Sequence, residues 1–166
     1  MPRVSLNVRR DADVTIPAPS GTVYLPQRRI EAWAYFGTEW WMRRAVIDTG
    51  APASILPARV WTELDRLGDI AWIGSANPVG GLPRITVFGG SYPFRLGRIR
   101  LELVDLGTGQ LAPRDVTVIC TDDPQTAPPH LQLPLIVGLA DVMHGRTLQL
   151  EASADGQRWT ATLSEP

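Results

Sequence analysis

The chain is predicted to be a mainly β protein, on three observations. Fifteen glycines and fifteen prolines are spread through 166 residues instead of being pooled in one linker. Turn signals recur at short intervals, with alternating apolar runs between them, the pattern of successive short strands. Only one stretch, residues 57–67, carries a convincing helical period. The length suits one ordinary domain and is short for two. No repeat of fixed period is present.

The elements follow in order. Residues 4–23 hold two short strand-like runs broken by Pro17 and Pro19. Residues 29–36 (RIEAWAYF) alternate, Gly37-Thr38 makes a turn, and residues 40–48 (WWMRRAVID) return, so a hairpin is expected with Trp40 and Trp41 on opposite faces of one strand. Ala45-Val46-Ile47 is continuously apolar, as for a strand entering a buried site. Residues 57–67 (PARVWTELDRL) form the helix, with Pro57 in the first turn, Val60, Leu64 and Leu67 on one face, and Gly68 as the stop. Residues 84–87 and 92–96 flank Gly89-Gly90-Ser91 as a second hairpin. Residues 98–104 (RIRLELV) alternate with charged residues outward, and 115–120 (DVTVIC) form another strand. Residues 134–138 (PLIVG) read as a buried strand, followed by a helical turn over 139–143. Residues 147–151 and 157–163 close the chain as a hairpin around Asp155-Gly156.

Composition removes several chemistries. The formal net charge is −1, so the basic field that nucleic acid or an anionic membrane needs is lacking, and neither partner is expected. All 16 basic residues are arginine, which excludes a Schiff-base, phosphate-loop or general-base lysine. His130, His144 and Cys120 are too few for a cysteine-rich zinc site or an intrachain disulfide. No metal and no organic cofactor is expected. Cys120 ends an apolar strand and reads as a small buried hydrophobe. The arginine pairs at 9–10, 28–29 and 43–44 read as solvated strand faces, and Asp122-Asp123 as part of a turn. The N-terminus lacks the apolar run of a secretory signal, and the apolar stretch 133–142 is too short to span a bilayer. A soluble, cytoplasmic protein is expected.

The sharpest feature is the run Ala45-Val46-Ile47-Asp48-Thr49-Gly50-Ala51, with Ser54 further on. A carboxylate at the end of an apolar strand is costly unless it is bonded or functional. The segment resembles the active-site loop of aspartic peptidases, in which an apolar triplet precedes Asp-Thr/Ser-Gly, a small residue follows, and a Ser or Thr comes later. Leu135-Ile136-Val137-Gly138 resembles the same family's apolar-apolar-Gly strand, which threads beside the aspartate loop in a ψ-shaped frame. The Gly-rich hairpin between these motifs has the place of the family's flap. Gly89-Gly90-Ser91 is the better tip on periodicity and turn chemistry, with Gly80-Gly81 the competing one. One Asp-Thr-Gly in a chain of this length resembles the retroviral-type enzymes, the retropepsins, over residues 28–150.

The resemblance implies a closed-barrel-like retropepsin fold with a flap, acting as a homodimer on a peptide or protein substrate. Asp48, Thr49 and Gly50 would be catalytic, and Ala51, Phe88, Gly89, Gly90, Ser91 and Ile136 would bind substrate. It also divides the chain: 1–27 as a strand-like extension, 28–150 as the protease-like domain, and 151–166 as a hairpin strand at the dimer interface. Two Asp48 carboxylates would share a proton, one activating water as general base and the other polarising the scissile carbonyl. The sequence departs from the viral pattern at Pro52 and Leu139, where those enzymes often carry an acid and a paired arginine. The loss of both together leaves no buried charge unpaired. Three alternatives stay open: a non-catalytic dimerisation or peptide-binding module on the same fold, a soluble β-barrel that binds a small ligand and carries the tripeptide by accident, and a structural turn role for Asp48.

Overall fold

The computed structural model describes residues 2–76, 78–124, 132–138 and 142–166. Thirteen strands and one helix are present among them. The strands are β1 (Arg3–Arg10), β2 (Val14–Ala18), β3 (Gly21–Leu25), β4 (Arg28–Phe36), β5 (Arg43–Asp48) and β6 (Ser54–Leu56), then β7 (Ala71–Ile73), β8 (Arg84–Val87) and β9 (Gly90–Val104). They end with β10 (Arg114–Thr121), β11 (Ile136–Gly138), β12 (Thr147–Ala152) and β13 (Trp159–Ser164). The helix α1 (Ala58–Arg66) lies between β6 and β7. The protein is mainly β, as the turn spacing predicts.

The main sheet runs β12-β13-β1-β4-β5-β11-β6-β10-β9-β7, with β8 on β9. A further pairing of β4 with β9 closes a circuit, β4-β5-β11-β6-β10-β9 and back to β4. Inside the circuit lie alternate residues of each strand: Ala32, Ala34 and Phe36 from β4, Ile99, Leu101 and Leu103 from β9, and Val116, Val118 and Cys120 from β10. Period-two alternation puts such residues on one face of a strand. β1 lies between β13 and β4, with Val4 and Leu6 buried. β2 and β3 pair only with each other.

Several expectations need correction. Trp40 and Trp41 lie in the loop before β5, stacked edge to face at 5.4 Å, and Trp40 is 84% exposed. The return strand starts only at Arg43, because Arg43 is pulled into an ion network. Its guanidinium donates to both Glu39 oxygens and, at 2.6 Å, to Glu63. Burial lowers the Arg43 pKa, but the hydrogen bonds and charges of the two glutamates outweigh it and hold the pKa above its ordinary value. Arg43 is therefore not a solvated strand arginine. Leu67 sits at the C-terminal cap of α1 and is exposed, so only Val60 and Leu64 of the predicted face are buried.

Residues 90–104 form one long strand instead of two. The hairpin turn is Phe88-Gly89, since Val87 pairs with Gly90. Both turn residues have positive φ, 48° and 77°, the signature of a type I′ connection. Gly80-Gly81 lies in the loop before β8. Asp155-Gly156 lies inside the longer loop between Ala152 and Trp159 instead of forming a two-residue turn. Asp123 is buried and structural rather than a plain turn residue, as described below. His144 is exposed. His130 and most of the helical turn over 139–143 lie outside the described residues. No helix among the described residues is long and apolar enough to cross a membrane.

Candidate active site

Asp48 is the last residue of β5 and is only partly buried. The chain turns immediately after it. The Gly50 N–H donates back to Asp48 Oδ1 at 2.9 Å, and the Ala51 N–H to the Asp48 carbonyl at 3.3 Å. An Asx-type turn of this kind holds the carboxylate by backbone alone. No second hydrogen bond to that carboxylate exists among the described residues. Thr49 and Gly50 are exposed, whereas Ala51 folds back into the protein and is buried.

The frame around this turn is built by β11. It pairs in parallel with β5, placing Gly138 beside Asp48. On its other edge it pairs antiparallel with β6, at Ile136 and Ile55. One short strand therefore passes between the strand entering the aspartate turn and the strand leaving it. The buried Ser54 hydroxyl accepts the Gly138 N–H at 3.2 Å and ties the two motifs together. Only glycine fits at 138: a Cβ there would lie 2.5 Å from the Ala53 carbonyl carbon and oxygen and 2.9 Å from the Ala51 oxygen. The motif's late Ser and its second glycine thus share one contact.

A second apolar cluster sits outside the main core. Ala51, Ile55, Ile119 and Ile136 are buried together, with Ile85, Val87 and Phe94 of the β8–β9 hairpin packed against them. Register explains it, since Ile55 pairs with both Ile119 and Ile136. Ile85, Val87 and Phe94 are partly buried, so each contributes less than the roughly 1.5–3 kcal/mol of a fully buried side chain, and the three together anchor the hairpin base. Its tip is not: Phe88 is 67% exposed. The Arg84 guanidinium braces the hairpin, donating to the Ser91 hydroxyl at 3.1 Å and the Ser91 carbonyl at 2.6 Å.

Of the residues singled out from the sequence, Asp48, Thr49, Gly50 and Ala51 form one turn, and Ile136 lies against Ala51 in the same cluster. Phe88, Gly89, Gly90 and Ser91 form the distal end of the hairpin rooted on that cluster. Sequence reasoning missed Ile55, Ile119, Ile85, Val87 and Phe94. A signal existed. Val118-Ile119-Cys120, Ser54-Ile55-Leu56 and Ile136-Val137 interrupt the alternation of their strands, as happens when both faces are covered. Among the described residues no cluster of His, Cys, Asp or Glu is placed to hold a metal ion.

No protein-family model matches the chain. No curated protein matches it either. Among solved structures the chain is similar to the EIAV protease complexed with the inhibitor HBY-793, at 15% sequence identity. That match covers 66% of this chain and 81% of the other, with a TM-score of 0.41.

Proposed function

We propose that the chain is one subunit of an aspartic endopeptidase, hydrolysing peptide bonds with a water activated by an aspartate dyad. The observation that carries this reading is the Asp48 turn, braced through Ser54 and Gly138, with one carboxylate oxygen bonded only to the Gly50 N–H. The sequence holds one Asp-Thr-Gly, so the dyad requires two copies and the active form is a homodimer. Two carboxylates brought together cannot both ionise and hold one proton between them. The ionised one takes a proton from water as that water attacks the scissile carbonyl, and the protonated one donates to the carbonyl oxygen. Thr49 hydrogen-bonds across the two-fold axis. Ala51 and Ile136 line the floor of the cleft, and Phe88, Gly89, Gly90 and Ser91 close over an extended peptide held by strand-like pairing.

Residues 28–150 hold this machinery, and 151–166 contribute to the dimer contact. β13 is already hydrogen-bonded to β1 and β12, so a partner meets its face or the open edge of β12.

The test is cleavage of a peptide library by purified protein from acidic to neutral pH, beside Asp48→Asn, with sedimentation to follow the oligomer. Cleavage abolished by Asp48→Asn in a protein that still dimerises is expected. Cleavage that survives the substitution overturns the dyad. A dimer that cleaves nothing at any pH identifies the non-catalytic module instead.

A further inference from the structure

We propose a second binding site, whose lining does not include Asp48, that accepts the guanidinium of an arginine-bearing peptide on the outer face of β4. A groove of about 840 Å³ lies where β1 and β9 diverge along β4, beside the loop 105–110. Its lining includes Leu6, Asn7, Glu31, Trp33, Arg44 and Gln110. Past the loop a smaller hollow of about 350 Å³ continues along Tyr35 and Met42. Glu31, Trp33 and Tyr35 alternate along one face of the strand, so the groove presents a carboxylate followed by two aromatic rings.

Glu31 is the unusual member. Its side chain is 4% exposed, yet its partners are poor. Asn7 Nδ2 donates to Oε2 at 3.3 Å and Arg44 Nε stands 3.7 Å from the same oxygen, whereas good charge-assisted bonds are about 2.7–2.9 Å. Oε1 has no hydrogen bond among the described residues. No fully buried side-chain oxygen among them lacks a partner, so Oε1 keeps some solvent access, and Glu31 lines the groove. That oxygen is able to accept a further charge-assisted hydrogen bond.

The other charges of the groove do not fill it. Asp105 is spent on the backbone N–H groups of Ser5, Gly107 and Gly109 at 2.8–3.0 Å. Arg3 lies at the rim, and Arg44 is 54% exposed at the long contact just given. A guanidinium suits this carboxylate better than an ammonium. Its planar fork pairs with a carboxylate, stacks on an aromatic ring such as Trp33, and loses less hydration on entry. Glu31 pairs with Val46, two residues before Asp48, so the experiment is built to keep this site and the Asp48 turn apart.

The full chain is titrated with N-acetyl-arginine amide, and with the neutral isostere N-acetyl-citrulline amide, following the Trp33 indole and the Asn7 and Glu31 amides by NMR. Saturable shifts with the arginine compound are expected, with the citrulline compound about tenfold weaker or worse. Glu31→Gln weakens binding by about the same factor, while Arg44→Ala, which removes the competing cation and leaves Glu31 in place, strengthens it about two- to threefold. Asp48→Asn leaves binding unchanged. Equal response to the two amides, binding that persists in Glu31→Gln, or shifts confined to the Asp48 turn overturns the proposal. Where Glu31→Gln fails to fold, the citrulline comparison and Arg44→Ala decide it.

Discussion

Asp48 and Asp123 stand near the ends of strands in the same sheet and are used in opposite ways. Asp123 is buried, and its Oδ1 accepts the Ala58 N–H at 2.7 Å and the Thr121 hydroxyl at 2.9 Å. It supplies the cap that Pro57 cannot, because Pro57 at the helix N-cap makes no side-chain bond. Asp48 receives one backbone N–H and remains partly open. Glu39 and Asp105 belong with Asp123, since each is engaged by several donors. The difference separates carboxylates whose hydrogen bonds hold the fold together from one that a single local backbone bond leaves partly open.

The largest expected effect breaks that contrast on the Asp48 side. Asp48→Asn keeps the size and the Gly50 contact but removes the carboxylate that the proposed reaction uses as its base. Peptide cleavage is expected to fall about 10³-fold while the unfolding free energy from urea melts stays within about 0.5 kcal/mol of the parent. A variant that unfolds instead would put Asp48 in the structural class with Asp123.

Gly138→Ala comes next and tests the frame between the two motifs. Its Cβ meets backbone of Ala53 and Ala51, which cannot yield as a side chain would. A destabilisation of about 3 kcal/mol is expected from chemical melting, with activity lost along with the turn. Asp123→Ala follows, at about 2 kcal/mol, from the loss of a helix cap and a buried hydroxyl contact. Activity per folded molecule is expected to be unchanged there. Its loss would show that the α1 end of the sheet also positions the Asp48 turn.

The two aspartates also show what is legible in a sequence. The Asp48 turn is local: strand, carboxylate, hydroxyl, glycine and small residue fall within a few positions, so the pattern is visible without a fold. The alternation of 98–104 and the helix over 57–67 are local in the same sense. Asp123 caps a residue 65 positions away, and nothing near Asp122-Asp123 announces it. The Arg43 network was hidden likewise, because Glu63 reaches it from α1, 20 residues on. β7 was missed because Ala71–Ile73 is short and earns its pairing only from the long β9. The hairpin turn moved one step, from Gly89-Gly90 to Phe88-Gly89, because glycine content marks where a turn is cheap and cross-strand register decides where it falls.

The smallest effect lies at the acid end of the pH range, where Glu165 belongs with Asp123. Its carboxylate takes Arg146 Nε at 3.0 Å and Nη2 at 2.5 Å, and the Ala112 N–H at 3.2 Å. Burial raises its pKa, but the Arg146 hydrogen bonds, the Ala112 N–H and the charges of Arg146 and Arg114 outweigh it and leave the pKa below the ordinary 4.5. A carboxyl depressed in the fold adds stability above its unfolded pKa and loses it as pH falls through the folded one. The parent is therefore expected to exceed Glu165→Gln by about 1 kcal/mol near neutrality, with the gap closing below pH 4.5. Urea melts of both proteins across that range measure it, and a gap that is constant or widens on acidification contradicts the assigned role. The comparison also guards the Asp48 test. Acid-induced loss of the Glu165 contact lowers the folded fraction and imitates protonation of a catalytic base. Glu165→Gln lacks that titration, so an acid limb of cleavage that persists in this variant, counted per folded molecule, belongs to other groups, as the proposed mechanism requires.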